Sequence, residues 1–180
     1  FEGNIHHVYG VGVNTDKFVK LSEEDRQKLR LDKGYTDEFI ILCTGELNKN
    51  KNQATLIKAM KEVVKKHPEA KLLLAGNGPE HDNLVKLIED LNLGDNVELL
   101  GYRTDIQDYV NICDLVVSAS HREGLPLNIM EAMICGKPVI AMNIPESGVS
   151  WVNINRFSGI NVKPEDADAL AEAITAVLTD

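Results

Sequence analysis

No two cysteines in this sequence are spaced as C-x-x-C, which excludes a zinc ribbon or a redox pair. The three that occur, Cys43, Cys113 and Cys135, are far apart, each in or beside an apolar run. An odd number of isolated thiols fits a reducing cytosol, where such residues serve as small buried hydrophobes. Base is also scarce. Lys and Arg number 19 against 28 Asp and Glu, for a net charge of −9. A general nucleic-acid binder needs a basic face, so that class is excluded, although a small basic pocket for an anion is not. The longest apolar runs, such as "DLVVSAS" and "PVIAM", are too short to span a membrane. No signal-peptide pattern opens the chain, and it contains no repeat, low-complexity tract or linker. It begins at Phe1, and "FEGNIHHVYGVGVNTDKF" reads as the end of a connection, so a fragment of a longer protein is expected.

What is present is ordinary for a soluble globular domain: 180 residues, 43% hydrophobic and 26% charged. Continuous apolar runs at 38–47, 70–78, 96–101, 114–120, 138–143 and 159–162 read as strands. Between them lie helical patterns at 52–66, 80–92 and 105–112. Another runs from Pro126 to near Gly136, and a last one covers 165–179. Leu56, Ile57, Met60, Val63 and Val64 form one such stripe. Alternating strands and helices predict an α/β fold, a Rossmann-like parallel sheet with helices on both faces. Ligands of such sheets bind beyond the carboxyl ends of the strands. The loops to inspect are therefore 45–52, 76–80, 101–105, 120–126 and 143–150.

In "GELNKNKNQ", Lys49 and Lys51 precede a helix, the unfavourable sign for its positive end. Asn50 and Gln53 suggest a capping-box-like start. A strand–Gly–helix junction with lysines suits an anion, and a solvated lysine-rich turn explains the same residues at least as well. In "AGNGPEHD", Gly76 and Gly78 would open a dinucleotide fingerprint, but His81 occupies the third glycine position. NAD is therefore not expected, and a tight turn is. Asp166 and Asp168 sit at a helix start, where acids are favoured electrostatically, so no metal is expected there. His6 and His7 have no partner at metal-ligand spacing. His121 ends a strand on the ligand side and could reach a ligand there, although a lone loop histidine is more often structural.

Glu123 and Glu131 lie in "HREGLPLNIMEAM". On one helix they would be about 12 Å apart along the axis and about 80° around it. Pro126 starts the helix only after Glu123, so one acid belongs to a loop and the other to a helix. Carboxylate pairs of glycoside hydrolases face one bond from about 5 to 9.5 Å apart; these two better fit opposite ends of a longer ligand. Glu131, among Met130, Ala132, Met133 and Ile134, costs energy unless it is paired or ligand-bound.

"EGLPLNIMEAMICGKPVIA" resembles the E-x7-E segment of retaining glycosyltransferases of family 4, which have the GT-B architecture. The resemblance extends through "GVNTDKF", "GELNKNKNQATLIKAM", the stretch from "AGNGPEHD" to "DLVVSAS" and "SGINVKPEDADALAEAI", essentially the whole chain. It implies a single C-terminal nucleotide-sugar-binding domain over 1–180, with the N-terminal acceptor domain elsewhere. The implied activity is transfer of a hexose-type sugar, with retention and without a metal or other cofactor. The donor would be a UDP-, GDP- or ADP-sugar, and the acceptor a glycan or lipid-linked sugar of capsule, lipopolysaccharide or exopolysaccharide synthesis. That work is cytoplasmic, reaching the inner membrane face through the other domain. A non-catalytic nucleotide-sugar sensor on the same fold is the alternative.

By the same resemblance Glu123 is the catalytic glutamate beside the donor sugar, and Glu131 holds the ribose. Lys51 neutralises the diphosphate, which backbone N–H groups of Gly124, Leu125 and Leu127 also meet. Tyr102 and Arg103 form the nucleobase loop. Two positions depart from the pattern: Glu46 stands where an Arg is frequent, and Pro126 where Gly is frequent, removing one N–H. "ESGVSWVN" at 146–153 resembles only part of the family.

Overall fold

A computed structural model describes residues 12–179; His6 and His7 lie outside them. Six strands form one sheet: β1 (Phe39–Thr44), β2 (Ala70–Ala75), β3 (Val97–Gly101), β4 (Leu115–Ser118), β5 (Val139–Met142) and β6 (Ile160–Val162). The order is β3-β2-β1-β4-β5-β6, and every pairing is parallel. β4 and β5 are buried at all four positions, and β1 at its four central ones. A strand buried on both faces needs cover on both, which is why these segments read as unbroken apolar runs rather than alternating ones.

The cover comes from α1 (Glu23–Asp32), α2 (Gln53–Lys66), α3 (His81–Asp90), α4 (Ile106–Ile112), α5 (Leu127–Ile134), α6 (Val149–Val152) and α7 (Ala167–Thr179). α2 packs on α3 and α7, and α1 on α4. The stripe expected on α2 is in the core: Leu56, Ile57, Met60 and Val63 are fully buried. Two helices escape the hydrophobic pattern. α1, EEDRQKLRLD, has almost no apolar stripe. Its start is chemical, since the Ser22 hydroxyl accepts the Asp25 N–H and Glu23, Glu24 and Asp25 suit the positive helix end. Its anchor is ionic: Arg26 and Arg30 both meet Asp114, whose Oδ2 also accepts the Ile40 N–H at 2.8 Å. α6 is only four residues long.

Asn50 and Gln53 do not form the expected capping box. Asn52 is the N-cap, in the left-handed region at φ 51, without a side-chain cap bond. Gln53 is buried and donates to the Glu46 carbonyl instead. Asp166 behaves as expected of an acid at a helix start, accepting the Ala169 N–H at 2.9 Å. Among the described residues no helix is long and apolar enough to cross a membrane.

Candidate functional site

The chain goes outward from β1 in one direction through β2 and β3, then in the other through β4, β5 and β6. The reversal lies between β1 and β4, where adjacent loops diverge and open a crevice. Lys51 follows β1 and Glu123 follows β4, and they meet there. Lys51 Nζ lies 2.5 Å from Glu123 Oε1. Ser120 Oγ donates to the same oxygen at 2.7 Å. Both donors use Oε1, so among the described residues Oε2 accepts no hydrogen bond and can take one from a ligand. The two loops are also joined through backbone. The His121 N–H donates to the Asn50 carbonyl at 2.7 Å, and the Asn50 side-chain Nδ2 donates to the Arg122 carbonyl at 3.0 Å.

Glycines let these loops stack. A Cβ on Gly76, at φ +153, would sit 1.9 Å from the Gly45 carbonyl oxygen, and one on Gly78 2.3 Å from that of Leu47. Gly76 and Gly78 thus serve less for a turn than for close approach, sealed by Leu47 N–H to Asn77 O and Glu80 N–H to Leu47 O. The stem of Lys51 covers Gly45. On the far side the β5–α6 loop seats on the Glu123 loop, with the Gly148 N–H donating to the Gly124 carbonyl at 3.0 Å. That gives "ESGVSWVN" a structural place. Its Glu146 and Ser147 line a cavity of about 400 Å³ with Glu123 and Gly124.

A larger cleft of about 730 Å³ opens over the ends of β1, β2 and β3. Glu46, Tyr102, Arg103 and Glu131 all line it, with Lys17, Thr44 and Asn77. Tyr102 is 75% exposed. Glu131, on α5, is half-buried; burial raises its pKa, partly offset by the Lys17 charge. The two glutamates therefore address different cavities, joined through Gly45, Lys51 and Glu123. Lys17 was not singled out from the sequence, yet it brings a cation into the cleft whose lip carries Glu46 instead of an Arg.

Other placements differ from expectation. The Leu127 N–H is turned onto the Leu125 carbonyl at 3.0 Å, so it does not face a ligand in this conformation. His121 does not line the large cleft. Its ring lies 3.6 Å from Glu165 and borders a small cavity with Lys49 and Gln53. The Cys43 thiol lies behind Lys51 and Glu123, and burial pushes its pKa up to about 12, so it is no nucleophile.

Comparison with known proteins bears on the family and the fold. Residues 22–180 match the family described as glycosyl transferases group 1. EpsD of Bacillus subtilis, described as a glycosyltransferase, is 34% identical over 96% of this chain and 45% of its own length. A GDP-mannose-dependent mannosyltransferase of Corynebacterium glutamicum acting on monoacylated phosphatidylinositol monomannoside is 33% identical over 94% of this chain and 46% of its own. The chain thus spans about half the length of the curated relatives it matches. Among solved structures, Anabaena HepE in complex with UDP superposes with a TM-score of 0.85 at 30% identity, covering 94% of this chain and 46% of HepE. The C-terminal domain of the Francisella tularensis group 1 glycosyl transferase LpcC superposes at 0.81 with 26% identity, covering 94% of this chain and 89% of that one. The fold, the crevice and the family match over residues 22–180 together make this chain a member of the group 1 glycosyl transferases.

Proposed function

We propose that this chain is the donor-binding, C-terminal domain of a retaining hexosyltransferase of the family 4 kind. It would hold a nucleotide-diphosphate sugar across the two cavities. The observation that carries this reading is the Lys51–Glu123 pair at the β1/β4 reversal, with the Glu131-lined cleft on one side of it. The base and ribose would occupy the large cleft, with ribose hydroxyls donating to Glu131. A carboxylate desolvated by burial gains most from such donors. The diphosphate would lie at Lys51 and the N–H groups of Gly124 and Leu125, and the sugar at Glu123 and the smaller cavity.

In transfer, the bond from the sugar to the diphosphate oxygen breaks while the acceptor hydroxyl oxygen bonds to the same carbon and passes its proton to the leaving diphosphate, on which negative charge grows. Lys51 is already placed to meet that charge without reorganisation. Glu123 Oε2 would orient the sugar through a hydroxyl. No step in this scheme requires a metal. HepE in complex with UDP-glucose supports a uridine donor, and the mannosyltransferase relative names a guanosine one. An acceptor glycan or lipid-linked sugar would be presented by a second, N-terminal domain in the cytoplasm or at the inner membrane face. The LpcC domain, of nearly this extent, supports that division.

The test has two parts. Thermal-shift titration with UDP-, GDP- and ADP-sugars should raise Tm for at least one of them, because a ligand of the native state stabilises it. In the complete transferase containing this chain, Glu123→Gln should keep donor binding and abolish transfer. Binding without transfer by the unaltered enzyme would instead identify a sensor.

A further inference from the structure

Four charged side chains from α1, α4 and the loop after β3 form a closed set around Tyr109, which is buried. Arg103 grips Asp105 with two parallel bonds, Nε to Oδ1 at 2.9 Å and Nη2 to Oδ2 at 2.8 Å. Lys33, the C-cap of α1, reaches Asp105 Oδ2 at 2.5 Å and Asp108 Oδ2 at 3.0 Å. The Arg103 guanidinium carbon and the Lys33 ammonium each lie 5.0 Å from the Tyr109 ring centroid. Arg103, then Lys33, holds the Asp105 carboxyl well below the usual carboxylate range, so it stays charged.

Two cations and two carboxylates cancel, so the set has no net charge. A guanidinium already matched by a bidentate carboxylate is a weak phosphate ligand. What it retains is a flat, weakly hydrated plane suited to stacking. Arg103 lines the large cleft beside Tyr102. One side of the guanidinium is backed by Tyr109 and its edge is tied to Asp105, which stops it swinging toward the crevice. We propose that Asp105, braced by Lys33, is a positioning residue that locks Arg103 as a stacking platform for the nucleobase and keeps it off the diphosphate. The inference rests on the donor-binding reading above. It makes base selectivity a property of the C-terminal end of α1 and of α4 as well as of the loop between β3 and α4.

The test is calorimetric titration with UDP, GDP, ADP and inorganic pyrophosphate at two salt concentrations. The proteins are the wild type, Asp105→Asn, Asp105→Glu and Arg103→Lys. The wild type should rank the three nucleotides. In Asp105→Asn the affinity ratio between best and worst should shrink by roughly fivefold or more, the scale of one lost stacking contact. Pyrophosphate should bind more tightly there, and nucleotide binding should become more salt-sensitive, because the guanidinium is released. Asp105→Glu should restore the ranking. Arg103→Lys keeps the charge but loses the plane, and should lose the ranking even if Asp105→Asn does not fold.

An unchanged ranking and salt response in Asp105→Asn, or an unchanged ranking in Arg103→Lys, overturns the inference. So does a wild type that binds all three nucleotides equally, although donor binding would then stand. A wild type that binds none of the three overturns the donor-binding reading and this inference with it.

Discussion

Lys51 and Glu123, 72 positions apart in sequence, meet at 2.5 Å where the strand order reverses. Each is on the first loop beyond its own strand, and β1 and β4 are neighbours. The pair therefore exists before any ligand arrives, and it presents a cation and an acid together. Replacing Lys51 by Met should weaken UDP binding about tenfold or more, the scale of a lost charge-assisted hydrogen bond. Binding of uridine, which has no phosphate, should change little. Calorimetry with both ligands separates the cases; equal losses for the two would remove Lys51 from the phosphates.

Glu131 opposes the fold it sits in. Its pKa is raised above the ordinary 4.5 because burial disfavours the charged form. The native state then holds the proton more tightly than the unfolded state. The penalty is fully present above the raised value and is relieved as pH falls through it toward 4.5. Glu131→Gln should thus raise the ligand-free Tm at neutral pH, with an advantage that fades on acidification. The same variant should lose the Tm rise that UDP confers on the wild type. A variant no more stable than wild type at pH 7, or one still fully stabilised by UDP, contradicts the assignment.

Asp114 is the keystone of the opposite end of the sheet. It receives Arg26, Arg30 and the Ile40 N–H, and Arg30 is 4% exposed. Asp114→Ala leaves the buried Arg30 guanidinium with the Ile112 and Glu38 carbonyls but without a counter-charge. A cost of about 3 kcal/mol is expected, or a fall in Tm of roughly 6–12 °C for a chain of this size. Affinity for inorganic pyrophosphate measured well below Tm should be unchanged, because Lys51 and the Glu123 loop lie at the other end of the sheet and do not use the Lys33 contact of α1. Denaturant unfolding and calorimetry on one preparation check both statements.

Gly148 carries the β5–α6 loop onto the Glu123 loop. A Cβ there would lie 1.9 Å from the Gly124 carbonyl oxygen, so Gly148→Ala must push the two apart. Stability should fall by about 1–3 kcal/mol, and donor-sugar affinity more than affinity for the bare nucleotide. Gly94→Ala is the control, since nothing lies within 4 Å of its added carbon. Comparison of UDP with UDP-sugar binding in both variants reads the difference.

Much of the fold is legible in the sequence because burial on both faces forces unbroken apolar runs. All six strands, α2, α3, α4, α5 and α7 follow from that and from the 3.6-residue stripe. α1 leaves no such trace. It is held by Arg26 and Arg30 on Asp114, and ion pairs spanning 84 or more positions have no period to detect. The start of α2 departs from its sequence pattern for a related reason: Asn50 and Gln53 have the right types and spacing, but bonds to Arg122 and Glu46 claim both side chains.

The site divides the same way. By itself the sequence determined that Glu123 belongs to a loop and Glu131 to a helix, because Pro126 cannot donate within a helix. It also favoured opposite ends of a longer ligand over a pair sharing one bond, and placed the Glu123 loop on the ligand side of the sheet. Only the tertiary structure decided that Glu123 faces Lys51, that Lys17 enters the cleft with Glu131, that the Leu127 N–H turns inward and that His121 points away toward Glu165. Those outcomes depend on which loops stack at the reversal between β1 and β4. Strand order and loop-to-loop contact set that stacking, and hydrophobic periodicity, which reports only how each segment meets the core, carries no record of it.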